Sequence, residues 1–276
     1  MVSIRQIFIY PIKSLGGIEL KTSRVERKGL AFDRRWMLVD DNGRFISQRE
    51  FPKLALLKPS IVEDALYIED TVGTLDRLEI TLHEPDTDPI QVSVWDDQMK
   101  AKPMADEINH WFSTYLEQPV RLVFMHATSE RIADQRYAPK PDDMVSFADG
   151  YPVLIINQAS MDLLSKKVGQ EIPVNRFRPN LVIDGVKAHE EDTLAEISIN
   201  GLRFFGVKPC ARCVMTTIDQ QTAEKGKEPL KTLASYRSVE HKILFGENFI
   251  PDQSGEINQG DQVQILKVKP APIQLV

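Results

Sequence analysis

The only two thiols in this chain of 276 residues, Cys210 and Cys213, stand two residues apart in the stretch KPCARCVMTTID. Four chemistries suit such a pair. A structural zinc site would take both thiolates, yet its other ligands would have to come from His83, His110, His126, His189 or His241, none in a paired ligand spacing. A thioredoxin-like dithiol needs a helix N-terminus directly after it to lower the thiol pKa, whereas Val214-Met215-Thr216-Thr217-Ile218 are strand formers. The pair can also serve as two small buried apolar residues. Against that, Lys208 and Arg212 flank the sulfurs, and a positive neighbourhood favours the thiolate form that binds metals or attacks electrophiles. The fourth chemistry is a single thiolate ligand to a soft, high-valent metal held by its own organic cofactor.

A phosphorylated cofactor of that kind requires anion-binding groups, and three compact clusters offer them. In YPIKSLGG, residues 10–17, a strand ends in Lys13 and Ser14 beside the backbone N–H groups of two glycines, a pattern that also makes an ordinary exposed turn. In GLAFDRRW, residues 29–36, Arg34 and Arg35 follow Asp33; the plain alternative is a surface salt bridge of little energy. In NRFRPN, residues 175–180, Arg176 and Arg178 lead with Asn180 into the apolar Leu181-Val182-Ile183. Arginine's planar fork suits phosphate or the amide edge of a pterin, and asparagine both donates and accepts.

The elements that must carry these groups are mostly strands. Residues 2–10, 18–25, 36–39, 65–68, 78–82 and 90–95 read as short strands, with Leu78, Ile80, Leu82 and Ile90, Val92, Val94 alternating as half-buried strands do. Asp41-Asn42-Gly43 marks a hairpin turn. From Pro103 to Gln118 the period becomes helical, with Met104, Ile108, Trp111, Phe112, Tyr115 and Leu116 on one face. After a strand at 121–125, the polar segment Ala127–Pro141 reads as a linker or a long functional loop. The second half offers a buried strand at 152–156, a helix at 159–168 capped by Asn157 or Ser160, and a hairpin around Asn200-Gly201. It continues with strands at 214–218 and 262–268 and a helix near 231–237. The fold class expected is mainly β with a few helices (α+β), an N-terminal β-barrel-like domain, residues 1–125, packed on a second domain, residues 126–276.

Composition narrows the function. Thirty-four basic against forty acidic residues give a net charge of −6, which argues against a nucleic acid polymer as partner. Two cysteines exclude a disulfide-stapled secreted scaffold. The N-terminus lacks the apolar core and cleavage site of a signal peptide, and no apolar run approaches the roughly 20 residues of a spanning helix, so no membrane partner and a cytoplasmic location are expected.

In chain order, YPIKS, GLAFDRRWMLVD with DNGRFISQR, FADGYP, NRFRPN, PCARCVMTTID and KEPLKTLASYR resemble the MOSC-domain proteins that carry an N-terminal MOSC β-barrel domain. That family includes bacterial YcbX-like proteins and the mitochondrial amidoxime-reducing component, and the resemblance covers nearly the whole chain. It implies an N-terminal MOSC β-barrel domain over residues 1–125 and a MOSC β-barrel domain over residues 126–276. It also implies a molybdenum cofactor, molybdopterin with its metal, bound between them, and no bound pyridoxal phosphate. By the same resemblance Cys213 is the metal ligand and catalytic residue, with Cys210 its neighbour. Lys13, Ser14 and Arg34 would hold the pterin phosphate end from the first domain; Arg178, Asn180 and Arg212 would contact it from the second, with Asp149 of FADGYP lining the site. The activity implied is detoxifying reduction of small N-hydroxylated compounds, namely hydroxylamines, amidoximes and N-hydroxylated bases, to amines. The alternative is a cofactor carrier or sulfur-transfer protein. Many bacterial relatives continue into a two-iron ferredoxin domain, whose cluster needs four thiolates. This chain ends in KPAPIQLV without further cysteines, so either electrons are expected from a separate ferredoxin-like protein or flavin reductase, or the Pro-Ala-Pro tail is a linker cut short of such a domain.

Overall fold

The computed structural model of the chain describes residues 1–126 and 128–273. Ala127, the first residue of the expected connecting segment, and the last three residues of the tail lie outside them. Strands dominate the described residues and three α-helices accompany them, as the α+β patterning implied. No helix among the described residues is long and apolar enough to cross a membrane.

The largest sheet has nine strands and draws on both halves of the chain. Its order is Val263–Val268, Leu194–Ile199, Leu202–Arg212, Lys242–Pro251, Val153–Asn157, Leu181–Asp184, Ser3–Ile9 and Ile18–Leu20, with Ser238–Val239 paired to Lys242–Pro251 off that path. Val153–Asn157 and Leu181–Asp184 run parallel. A parallel step needs a crossover, here the helix Gln158–Val168. Asn157 caps it by accepting the N–H of Ala159, and Gly169 closes it at φ 85°, a left-handed position where glycine carries no Cβ penalty. The hairpin between Leu194–Ile199 and Leu202–Arg212 turns through Asn200 and Gly201, at φ 49° and 79°, as its sequence signals.

The N-terminal strand is part of this core: Ile4, Ile7 and Ile9 pack with Val153, Ile155, Leu181, Ile183, Phe204 and Phe249. The run expected as one strand over 18–25 breaks near Lys21. Ile18–Leu20 pairs with Ser3–Ile9, while Thr22–Glu26 turns away to pair with Gly255–Asn258. A separate core containing Trp36, Leu38, Leu66, Ile80 and Phe124 fills the N-terminal half. Against it the helix Asp106–Leu116 buries Ile108, Phe112, Tyr115 and Leu116.

Two elements beside the cysteines also differ from the sequence reading, each for a physical reason. Val214–Ile218 is not a strand; Val214–Thr217 forms a 3₁₀ turn. The Thr216 hydroxyl donates to Cys213 O at 3.0 Å and the Thr217 hydroxyl to Val214 O at 2.7 Å, local bonds that compete with a ladder. Lys242–Pro251, a ten-residue strand beside the cysteine strand, shows no alternation, because it is buried on both faces.

Candidate functional site

A cleft of about 330 Å³ opens between the two halves. Lys13, Ser14, Arg34, Phe45, Ser47, Arg49 and Trp95 line it from the N-terminal half; 148–151, 176–178, Asn180, 210–213 and 215–216 line it from the other. All eight residues singled out in the sequence are brought onto it: Lys13, Ser14, Arg34, Asp149, Arg178, Asn180, Arg212 and Cys213. Six basic side chains, Lys13, Arg34, Arg49, Arg176, Arg178 and Arg212, share the lining with one carboxylate, Asp149, although the whole chain carries a net charge of −6. Field lines from such a cluster focus in a concave site and favour an anionic occupant.

The arginines are fixed from behind. Tyr10, 1% exposed, has the Arg34 and Arg178 guanidiniums 4.3 and 4.2 Å from its ring centre. Burial raises its hydroxyl to about 12, so the ring stays neutral. Fully buried Asp33 accepts the Tyr10 N–H at 2.8 Å and takes Arg34 Nη1 on both oxygens, at 2.8 and 2.6 Å. This pair is therefore an internal brace and not a surface bridge. Arg34 Nη2 continues to Arg178 O at 3.1 Å.

Arg178 Nη1 donates to Leu15 O at 2.6 Å. Arg212 donates through Nε to Phe245 O at 2.8 Å and through Nη1 to Phe177 O at 2.9 Å. The remaining Nη2 of each is buried without a protein partner. An unpaired buried cationic donor is costly, and an anionic group in the cleft removes that cost. Burial, reinforced by the charge of Arg34, lowers Arg178 to about 10, which leaves it charged at neutral pH. Gly246, at φ 78°, clears space beside Arg212: a Cβ there would meet Ile156 Cγ1 at 2.8 Å and Arg212 Nη2 at 3.3 Å.

Backbone strain gathers at the same place. Ser14, Arg34, Arg178 and Trp95 all have positive φ, at 72°, 48°, 55° and 56°. Each left-handed non-glycine costs on the order of 1 kcal/mol, which surrounding contacts must offset.

Lys13 is buried, and its ammonium donates to Phe147 O at 2.8 Å and Asp149 Oδ1 at 2.6 Å. Burial pulls the Lys13 pKa down and the Asp149 charge opposes it. The charge and hydrogen bond of the Lys13 ammonium hold the Asp149 carboxyl well below the usual range. The Asp149 side chain faces the mouth, 71% exposed. Its loop is clamped by Arg131, which donates to Asp97 Oδ2 at 2.8 Å, Ser146 O at 2.8 Å and Asp149 O at 3.0 Å, and also to Ala148 O. The polar segment read as linker or functional loop thus supplies a buried structural cation. Asn180 uses its amide on the backbone, accepting Leu154 N–H at 3.1 Å and donating to Phe8 O at 3.2 Å, so it braces the strands beneath the cleft.

The two cysteines are unequal. Cys213 is exposed at the end of its strand; Cys210 is half-buried, and burial pushes its thiol up. Both are free thiols. Among the described residues no group of three or more His, Cys, Asp or Glu side chains is placed to hold a metal ion, so a zinc site made of protein ligands alone has no ligand set. A soft thiolate beside forked cationic donors instead suits a metal that brings its own anionic organic ligand.

Sequence reasoning left Tyr10, Arg131, Arg49 and Trp95 without roles. Arg49 lies inside the quoted RFISQR run, and Trp95 stands at a hairpin turn where a bulky aromatic is unusual, the one signal that could have drawn attention to it.

Residues 1–119 match the family described as MOSC N-terminal beta barrel domain, and residues 142–264 the MOSC domain. The chain is 30% identical to mitochondrial amidoxime-reducing component 1 of Homo sapiens over an alignment covering 96% of this chain and 83% of that one. The Mus musculus counterpart is 29% identical, with 96% and 82% covered. Molybdenum cofactor sulfurase of Oryza sativa subsp. japonica is 31% identical over 89% of this chain but 32% of its own length.

Proposed function

This chain belongs to the family of MOSC-domain proteins with an N-terminal MOSC β-barrel domain, and on that footing we propose that it is a molybdenum-cofactor-dependent reductase of N-hydroxylated compounds. Hydroxylamines, amidoximes and N-hydroxylated bases are reduced so that R–NHOH, two electrons and two protons give R–NH₂ and water. A separate ferredoxin-like or flavin-containing protein delivers the electrons. The observation that carries this reading is a single cleft joining an exposed Cys213 thiol to the unpartnered cationic nitrogens of Arg178 and Arg212.

Those donors fit a molybdenum-molybdopterin cofactor: the orphaned nitrogens call for an anion, and the thiol is a soft ligand. When bound, the cofactor supplies the two-electron redox chemistry. Arg178 and Arg212 would offer Nη2 to its anionic groups, and Lys13, Ser14 and Arg34 would hold it from the facing wall. Cys213 would bind the metal, with Cys210 on the same cleft lining. Asp149 keeps the Lys13 proton on Nζ and lines the mouth. Asn180 and Asp33 act through the residues they brace.

Metal and pterin analysis of protein from a cofactor-competent host, followed by turnover of a hydroxylamine with a reduced viologen dye, tests the reading. The expected result is bound molybdenum and pterin, activity abolished in Cys213→Ala and retained in Cys210→Ala. Protein holding neither molybdenum nor pterin overturns it. The exposed cysteine also supports a second reading, a cofactor carrier or sulfur-transfer protein, which predicts loaded protein without turnover and persulfide sulfur on Cys213.

A further inference from the structure

Neither cofactor anchoring nor the fold accounts for one pair of side chains in the cleft. Trp95 begins the two-residue turn between the strands Ile90–Val94 and Asp97–Pro103, whose ends pair as Val94 with Asp97. Tight hairpin turns favour Gly, Asn or Asp where the backbone is left-handed. Here an indole occupies that position at φ 56° and stands 48% exposed. A bulky side chain held in this region is an outlier, and such strain persists only where neighbours enforce it. They do: Trp95 Nε1 donates to Asp149 Oδ1 at 3.2 Å, Phe45 meets the ring edge-on at 5.0 Å, and the Arg49 guanidinium lies 4.4 Å from its centre. Among the described residues no carboxylate pairs with Arg49; its side chain donates only from Nε to Ser47 Oγ, at 3.4 Å, leaving the Nη donors without a protein acceptor. Both residues line the cavity that contains Cys213.

The geometry points to a substrate-docking platform, on which Trp95 and Arg49 select flat aromatic N-hydroxylated compounds that carry an anionic group. A conjugated ring packs against the indole, and the guanidinium fork takes the anion. Asp149 does not repel that anion strongly, because Lys13 pairs with it at 2.6 Å. The inference rests on the reductase reading and adds the substrate class.

The test uses cofactor-loaded protein and three probes: 4-carboxybenzamidoxime, benzamidoxime and acetamidoxime, each reduced to its amidine and water by two electrons and two protons. Wild type should rank them in that order by kcat/KM, about tenfold apart, the size of one charge-assisted contact or one aromatic contact. Arg49→Gln should collapse the ratio of the first probe to the second towards one. Trp95→Asn, a side chain suited to left-handed backbone, should collapse the ratio of benzamidoxime to acetamidoxime, chiefly through KM. Independently of turnover, 4-carboxybenzamidine should quench wild-type tryptophan fluorescence and leave Trp95→Asn unquenched. Molybdenum content is measured for every variant. Loss of molybdenum in Arg49→Gln would make that residue a cofactor ligand and overturn the platform, as would an equal fall for all three probes. Loaded, active wild type without the probe ranking defeats the platform alone; wild type without molybdenum or turnover defeats the reductase reading and the platform with it.

Discussion

Replacing Asp33 by Asn isolates the brace behind the cationic cleft. Asp33 is fully buried and takes three hydrogen bonds, one from Tyr10 N–H and two from Arg34 Nη1. An asparagine can still accept the Tyr10 N–H through its carbonyl oxygen, but it then turns an NH₂ group towards a guanidinium, donor against donor. Removing one partner of a buried ion pair costs roughly 3–5 kcal/mol. The Arg34 side chain keeps 12% exposure, which water can exploit, so the lower end applies, about 3 kcal/mol. At roughly 2–4 °C per kcal/mol, Tm should fall by about 6–12 °C. Guanidinium chloride denaturation of cofactor-free protein, followed by tryptophan fluorescence, measures the loss directly. Adding Arg34→Met should recover part of it, because no uncompensated charge is then left behind. A loss below about 1 kcal/mol, or a double variant no more stable than Asp33→Asn, refutes the view that this pair is internal and coupled.

Two further outcomes follow from the same reasoning. Burial, reinforced by the charge of Asp192, holds Glu191 up at about 8 against an ordinary 4.5, so the folded chain keeps a proton that the unfolded chain releases. Its contribution to stability is full below the unfolded value and is lost as pH rises through 8. Glu191→Gln, which mimics the protonated acid, should therefore gain on wild type in denaturation midpoint from about pH 5 to about pH 9; parallel pH profiles would refute it. Asn180→Ala should destabilise the cofactor-free protein by about 2 kcal/mol, because the Leu154 N–H and Phe8 C=O lose their side-chain partner. An unchanged denaturation midpoint would show that its amide braces nothing.

Local chemistry made much of the fold readable. The Asn200-Gly201 turn, the cap at Asn157 and the apolar face through Ile108, Phe112 and Leu116 each depend on residues close in sequence, and each forms as the pattern implies. Where burial or local bonds override pattern, reading failed. Lys242–Pro251 is enclosed on both faces and shows no period of two, and two threonine hydroxyls coil Val214–Thr217 despite its β-forming residues. In the cleft, motif residues were visible as charge beside turn chemistry. Tyr10, Arg131 and Trp95 were not, because a phenol ring between two cations, a buried clamp and an enforced turn are defined by their partners and not by their own type.

By itself, the sequence determined which side chains are available for chemistry: two thiols, three basic clusters and an acid in FADGYP, in an order that carries a family resemblance. Tertiary structure alone decided that Lys13 and Asp149, 136 positions apart, form one ion pair, and that Arg34 and Arg178 flank one ring. It also decided that Cys213 is exposed and Cys210 half-buried. Composition cannot encode these outcomes. They depend on an N-terminal strand entering the sheet of the second half, which brings charges of one sign around a common cavity and leaves the Nη2 nitrogens of Arg178 and Arg212 without a protein partner.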